Sequence, residues 1–514
     1  MSGTQKPRYL HRRAIVPAKT LLLGGHMKKD GTTLPDLDNV QGDVYFMFPK
    51  RWQRFMFFKI SNVTQFQKDL DTYRPKITSS SQTVKDLNEI HEKGGADLDI
   101  VSSGIAFTKA GLKTMGIEHQ LGDPHFDQGS LYNEKKELGD QRQYDSVFDG
   151  DGNNHGVILL TAGKQDTCKT KMDEIQSIFK GSINVVTTYE GRVRPGNGEH
   201  FGWRDGQRIV NPGVTIMGYP GDPVHNNNAI ARPGFTKDGS FMVFRKLEQN
   251  VLFLEDYVNK NWLSIPAEPT KDVTLTEAQR KKLFAARMVG RFKSGVPLAL
   301  SPYIEDTAYL DPEKINNFDY TEPQGRCPFS AHVRKTAPRN LQPVVGTEYL
   351  DASMIVRAGI PYGDEISSQE REEWKTYTDD QKENAVCPRG LLFVCYQSSI
   401  DNGFYRQTTG FANNDFFPLM GLVPQKTGQD PILGGPKPVT GTSGTTDIFQ
   451  EGEVTLDLIN NHNEKYEVAG IAKKVVESAT SLEQKFFVTS RGGDYYFVPS
   501  ISTVKSWGAA AQSK

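Results

Sequence analysis

The sequence predicts an α+β fold, and three observations lead to that class. The apolar runs have strand length, as at residues 156–160 and 390–397. Helical patterns with a single apolar face lie between them, as at residues 169–180, where Met172, Ile175, Ile178 and Phe179 share one side. The order strand–helix–strand, followed by a glycine turn at Gly202, favours layered sheet and helix over a doubly wound parallel sheet.

Taken in order, residues 1–38 are basic, then rich in Gly, Lys and Asp, and read as an extension over the surface. An N-terminal domain spans residues 39–235. Within it, residues 44–48 and 55–60 alternate as strands do, 63–73 are helical, 100–107 form a buried strand and 109–115 a short helix. Residues 117–153 read as a long polar connection before the strand at 156–160. A C-terminal domain spans 236–514 and opens with a strand at 239–247. Helices are expected at 252–258 and 275–292, the second capped by Thr274 or Thr276. The strand at 390–397 is followed by a Phe/Gln-bearing segment at 400–415. Residues 422–446, rich in Gly, Pro and Thr, read as a loop, and 486–498 as a hairpin around Arg491-Gly492-Gly493.

The formal charge of −1, from 61 basic and 62 acidic residues, gives no nucleic-acid footprint. No apolar run approaches the ~20 residues that span a bilayer, so no membrane partner is expected. Cys168, Cys327, Cys387 and Cys395 form no C-x-x-C pair and are expected as buried free thiols. The first 20 residues lack the apolar core of a signal peptide. There is no H-E-x-x-H motif, phosphate-binding glycine loop or G-x-S-x-G elbow, which disfavours zinc hydrolase, P-loop and serine hydrolase chemistry.

Two stretches carry chemistry. In Glu199-His200-Phe201-Gly202-Trp203-Arg204-Asp205-Gly206 an acid sits between two glycines. Such a turn lets backbone approach a flat ligand closely and present Asp205 to its face. In Cys327-Pro328-Phe329-Ser330-Ala331-His332-Val333-Arg334-Lys335-Thr336, His332 has small or apolar residues before it and basic ones after. That suits either an axial haem ligand, with cations for the propionates, or a helix-end histidine beside a basic surface. Eight other histidines, His125 and His155 among them, lie in polar surroundings and are expected to be solvated.

Together with Ile355-Val356-Arg357-Ala358-Gly359-Ile360-Pro361-Tyr362-Gly363, these stretches resemble the signatures of the dye-decolorising peroxidases, in particular the fungal branch. Further matches are Asp238-Gly239-Ser240-Phe241 with Phe244-Arg245-Lys246-Leu247, residues 390–397 and residues 487–493, so the resemblance runs from about Val40 to Ser500. It departs at Trp203 and Arg204, where family members more often carry other residues; a cation beside Asp205 would lower its pKa.

The resemblance implies two ferredoxin-like halves, each an antiparallel sheet with peripheral helices, and one haem b per chain in the C-terminal half. His332 would be the axial iron ligand, Asp401 the carboxylate on its other ring nitrogen, and Arg334 a further cofactor contact. Asp205 would be the acid–base for hydrogen peroxide and Arg357 the charge stabiliser. Leu391 and Phe393, two apart on a strand, would lie over the distal face of the haem. Aromatic donors such as dyes or phenolics would be oxidised in one-electron steps, bulky ones at the surface through Tyr362 or Trp374. A carboxylate acid–base predicts an acidic optimum. The family setting is extracellular, with the cytoplasm the alternative, and the state a monomer or homodimer. The rival functional reading is a haem-binding or haem-handling protein of the same fold with little turnover.

Overall fold

The structure is a computed structural model, and it describes residues 35–94, 98–140, 142–204, 210–225, 232–265, 267–311, 314–320, 327–339, 341–378, 381–382, 385–414, 417–418, 429–434, 437–440, 447–450, 456–459, 465–468 and 487–509. Asp205 lies outside the described residues, as does nearly all of the expected N-terminal extension.

In the first half the chain order is β1 (Trp52–Ile60), helices Val63–Tyr73 and Ser80–Glu92, β2 (Ser102–Phe107), β3 (Gly156–Ala162), helix Gln165–Ile178 and β4 (Ile183–Arg192). The spatial order is β4-β1-β3-β2, with antiparallel pairing throughout. That is the split β-α-β arrangement of a ferredoxin-like unit. The second half repeats it. β5 (Ser240–Gln249) leads into helices Val251–Asn261 and Glu277–Val289, then come β6 (Val356–Arg357), β7 (Ile360–Tyr362) and helix Ser368–Thr376. β8 (Gly390–Gln397) is followed by a π-helix over Asp401–Ala412. Two small hairpins follow, β9 (Lys437–Thr440) with β10 (Asp447–Gln450) and β11 (Leu456–Ile459) with β12 (Lys465–Val468), before β13 (Val488–Val498) closes the sheet. The order here is β13-β5-β8-β6, with β7 also on β8.

Local chemistry explains the element ends. Asn62 accepts the Gln65 N–H at 3.1 Å and starts its helix. Thr276, one of the two expected caps, forms a reciprocal capping box with Gln279, and Gly290 ends that helix at φ +91°. Residues 44–48 are turns rather than a strand: Met47 takes φ +59°, and the Phe48 N–H is captured by Asp43 Oδ1 at 2.7 Å. Alternating aromatics there reflect burial, not pleating. Nor is 486–498 a hairpin. The strand continues through Arg491-Gly492-Gly493 as a bulge, with Gly492 at φ +99° and the register against β5 shifting between Ser490 and Gly493. The expected loop at 422–446 includes β9. The four cysteines are buried and free, as expected. Among the described residues no helix is long and apolar enough to cross a membrane.

The two half-sheets join where β13 meets β2 through the single register pair Phe497–Phe107. Gln41 completes the seam. Its Nε2 donates to Ile105 O at 2.9 Å and Pro499 O at 2.8 Å, and its Oε1 accepts the Ile105 N–H at 2.9 Å. With 3% exposure it acts as a side-chain substitute for the missing strand pairing. Gln41→Ala strands a buried N–H and carbonyls, so it is expected to lower stability by about 2–4 kcal/mol in chemical denaturation. A loss below about 0.5 kcal/mol would remove Gln41 from that role.

Candidate active site

The site lies on one face of the second half-sheet. On β8 the burial alternates: Leu392 and Val394 are fully covered by the core, while Leu391 and Phe393 are half-buried and point the other way. They line a cavity of about 400 Å³ together with Arg245 and Leu247 of β5, Val488 of β13 and Arg357 of β6. Val289, Arg291, His332 and Val333 form the facing wall, and the segment from Gly198 to Arg204 reaches in from the first half.

His332 begins the short helix His332–Thr336 and is the only cavity histidine among the described residues. Its Nδ1 meets Asp430 Oδ2 at 2.6 Å, and the Asp430 side chain has no exposed surface. Asp430 Oδ1 accepts the N–H groups of Ile432 at 2.8 Å and Leu433 at 3.0 Å. Burial works to raise the Asp430 pKa, but His332 and these two amides outweigh it and hold the carboxyl below its ordinary value. An ionised Asp430 fixes the tautomer with the proton on Nδ1, which leaves Nε2 to bind a metal.

Asp401 is therefore not the partner of His332. It faces His125 Nε2 at 3.3 Å, where the chain after β8 carries it away from the His332 helix. Arg334 also departs from expectation. It is not a cavity-lining residue; its guanidinium lies 4.1 Å from the Phe329 ring centre and 4.7 Å from that of Tyr320, and donates to Cys327 O. Trp374 is no surface residue: it is 7% exposed, and its Nε1 donates to Asp256 Oδ2 at 2.9 Å. Tyr362 is half-buried, its hydroxyl without a hydrogen-bond partner among the described residues.

The turn leading to Asp205 is built around Glu199. Its carboxylate accepts the N–H groups of Phe201 at 2.7 Å and Trp203 at 2.8 Å, and the Gln249 amide. Gly202 takes φ +96°, which a side chain would resist. Trp203 is buried and donates from Nε1 to Arg291 O at 2.7 Å, with Lys293 Nζ 5.1 Å from its ring centre. Arg204 is exposed and turns back to Gly196 O at 3.1 Å.

Sequence reasoning gave no role to Asp430, Glu199 or Gln249, because a lone acid in a loop, or a single amide at the end of a strand, carries no periodic signal. It also misjudged His125 and His155. His125 is 8% exposed and clasped by carboxylates, and half-buried His155 accepts the Ile60 N–H at 3.0 Å.

The residues present fit an iron porphyrin. The cavity has apolar walls, one histidine with its outer nitrogen engaged, and eight cationic side chains against two carboxylates, Asp140 and Glu199, which suits a ligand with anionic arms.

Comparisons agree with this geometry. A family model described as "DyP dimeric alpha+beta barrel domain" matches residues 39–195. The chain is 32% identical to the dye-decolorizing peroxidase msp1 of Mycetinis scorodonius, over 92% of this chain and 87% of that one. It is also 32% identical to the dye-decolorizing peroxidase AauDyP1 of Auricularia auricula-judae, over 98% and 92%. An ancestral D-type dye-decolorizing peroxidase superimposes with TM-score 0.77 at 34% identity, covering 92% of this chain and 99% of that one. A dye-decolorizing peroxidase in complex with 2,6-dimethoxyphenol superimposes with TM-score 0.73 at 32% identity, covering 93% and 100%. Fold and relatives together define a haem peroxidase. The chain belongs to the dye-decolorising peroxidase family, whose activity is peroxide-driven oxidation.

Because its folded pKa is depressed, Asp430 contributes stability fully above the unfolded carboxylate pKa of about 3.9 and loses it as pH falls through the lower folded value. Asp430→Asn is expected to cost about 3–5 kcal/mol near neutral pH. The gap from wild type should narrow below about pH 4 in denaturation curves. A gap that widens in acid would contradict an ionised, His332-bound carboxylate.

Proposed function

We propose that the chain holds one haem b per molecule in this cavity and oxidises dyes, phenolics or similar aromatic donors in one-electron steps at the expense of hydrogen peroxide. The observation that carries the reading is the His332–Asp430 pair at the wall of an apolar, cation-rich cavity. Bound haem would supply redox-active iron, held through His332 Nε2.

The remaining roles belong to side chains. Asp430 keeps the proton on Nδ1 and makes the imidazole a stronger donor through Nε2. Asp205 accepts the proton from the inner oxygen of hydrogen peroxide and returns it to the outer oxygen, which leaves as water. Arg357 sets a permanent positive charge at the cavity wall, where negative charge develops as the O–O bond breaks. Leu391 and Phe393 narrow the space over that side, admitting hydrogen peroxide and excluding bulky donors. The support for Asp205 is its position in the sequence, directly after Arg204, which lines the cavity, and after the turn that Glu199 and Gly202 shape. The cations at the cavity suit the carboxylate arms of the cofactor, with Arg339 and Arg291 on the same wall as His332. A carboxylate acid–base with an ordinary pKa of about 3.9 works in acid, where an imidazole would be protonated.

Expressed with haem supply, the chain is expected to show a Soret band that His332→Ala loses or shifts. A fully loaded His332→Ala protein with an unchanged spectrum would reject His332 as ligand. In stopped-flow mixing with hydrogen peroxide, Asp205→Asn is expected to slow the first step by about 10²–10⁴-fold. Near wild-type rates would remove Asp205 from the proton transfer. A protein that binds haem but shows no turnover with phenolic or dye donors would instead be the haem-handling alternative.

A further inference from the structure

Behind the cavity lies a second imidazole–carboxylate cluster that the peroxide chemistry does not use. Tyr495 of β13 is wholly buried, and its hydroxyl donates to Glu134 Oε2 at 2.5 Å. The other oxygen of Glu134 meets His125 Nδ1 at 2.5 Å, and His125 Nε2 meets Asp401 Oδ1 at 3.3 Å. The chain of groups runs outward: the Glu134 side chain is 7% exposed and that of His125 10%, while the Asp401 side chain is half exposed. Asp123 holds the cluster together. It accepts the N–H groups of His125, Ile400 and Asp401, and so ties the helix Pro124–Gln128 to the start of the π-helix.

The inner end reaches the cavity. The Tyr495 ring centre is 6.3 Å from that of Phe404, and Phe404 lines the cavity wall. We propose that Tyr495 is a one-electron redox station behind the cavity, with Glu134 as its proton acceptor and the His125–Asp401 pair holding Glu134 in place. The proposal rests on the peroxidase reading, because the oxidising equivalent derived from hydrogen peroxide is its electron acceptor.

A phenol that loses an electron becomes a strong acid, so oxidation inside a protein needs a base already at hydrogen-bond distance. Glu134 meets that need. When Tyr495 gives up one electron toward the cavity, its hydroxyl proton passes to the Glu134 carboxylate and a neutral phenoxyl radical remains. An electron from an aromatic donor then reduces the radical, the proton returns from Glu134, and no atom is gained or lost.

Other tyrosines also meet carboxylates, but those carboxylates are differently engaged. Tyr144 donates to Asp140, which pairs with Arg245, and Tyr189 to Asp145, which pairs with Lys246. Tyr219 donates to Asp238 and Tyr396 to Asp43, acids that also take the Asn39 amide and the Phe48 N–H. Glu134 pairs instead with an imidazole, whose charge can be passed on to an exposed acid. His125 carries that charge near neutrality: burial opposes it, yet the bonds to Asp401 and Glu134 raise its pKa to about 9. A single carbonyl would have satisfied the Tyr495 hydroxyl. A buried acid, a histidine and a half-exposed acid in series exceed that structural requirement.

The test is freeze-quench electron paramagnetic resonance of the haem-loaded protein mixed with hydrogen peroxide and no donor, with ring-deuterated tyrosine incorporated to identify tyrosyl signals. Wild type is expected to give a strongly hydrogen-bonded tyrosyl radical. Tyr495→Phe, which keeps the ring packing, should reduce the signal by more than half at equal haem content. Glu134→Gln should shift the g-tensor to that of a weakly bonded phenoxyl and lower the yield several-fold. If Glu134→Gln does not fold, Asp401→Asn at the exposed end should give a smaller change of the same sign. An unchanged signal in Tyr495→Phe, or no tyrosyl signal in a haem-loaded wild type that consumes peroxide, overturns this proposal alone. A wild type that binds no haem overturns the cavity reading and this proposal with it.

Discussion

Asp430 is an ionised carboxylate with no exposed surface, and the candidate site is built outward from the donors it demands. A buried charge is tolerated only when hydrogen bonds replace its water. His332 supplies one and the turn at Ile432 and Leu433 two more. Those bonds draw together three pieces remote in sequence. The Asp430 N–H donates to Ala412 O at 2.9 Å at the end of the π-helix, and Lys335 of the His332 helix donates to Asn414 O at 2.8 Å. Gly434 must lie so close to Asp430 O that an added Cβ would sit 2.3 Å away, so the turn admits only glycine. The orientation of one imidazole is thereby set by a unit of several segments rather than by its own short helix.

The sheet imposes a second constraint, on the opposite wall. With side chains alternating along β8, placing Leu392 and Val394 in the core commits Leu391 and Phe393 to the cavity. β5 obeys the same rule with Arg245 and Leu247, paired with Phe393 and Leu391 in register. A bulge in β13 at Ser490–Gly493 changes its alternation between the cavity end and the seam with β2. One strand can therefore line the cavity near Val488 and pack at the centre of the joined sheet near Phe497.

These features differ in how far the sequence exposes them. Leu391, Phe393, the strand that bears them and the Thr276 cap follow from local rules, period two in one case and a side-chain oxygen before a helix in the other. His332 stands out by the contrast between small residues before it and cations after it. Its carboxylate partner does not. Asp401 and Asp430 are both lone acids in non-repeating segments, and which one returns to His332 depends on the path of the π-helix, a property of the whole chain. The double glycine at 492–493 was ambiguous for a similar reason. A hairpin turn and a bulge need the same backbone freedom, and only pairing with β5 along its full length decides between them. The aromatic run at 44–48 shows the limit of alternation itself, since Asp43 captures the amide that a strand would have shared with a neighbour.

The described histidines near the two clusters show why only one suits an iron. Each ring has two nitrogens, and a metal needs one of them without a competing proton donor or acceptor. His125 has both committed, to Glu134 and to Asp401, and its raised pKa keeps both protonated near neutrality. His200 spends Nε2 on Tyr362 O at 2.7 Å, and burial with Arg194 nearby lowers its pKa to about 4. His332 alone combines one engaged nitrogen, a carboxylate that keeps the proton there, and a place on the cavity wall. The same pair of groups, imidazole and carboxylate, is thus arranged in two ways in one chain. At His332 a single acid on one side leaves the other nitrogen for a metal, whereas at His125 an acid on each side engages both.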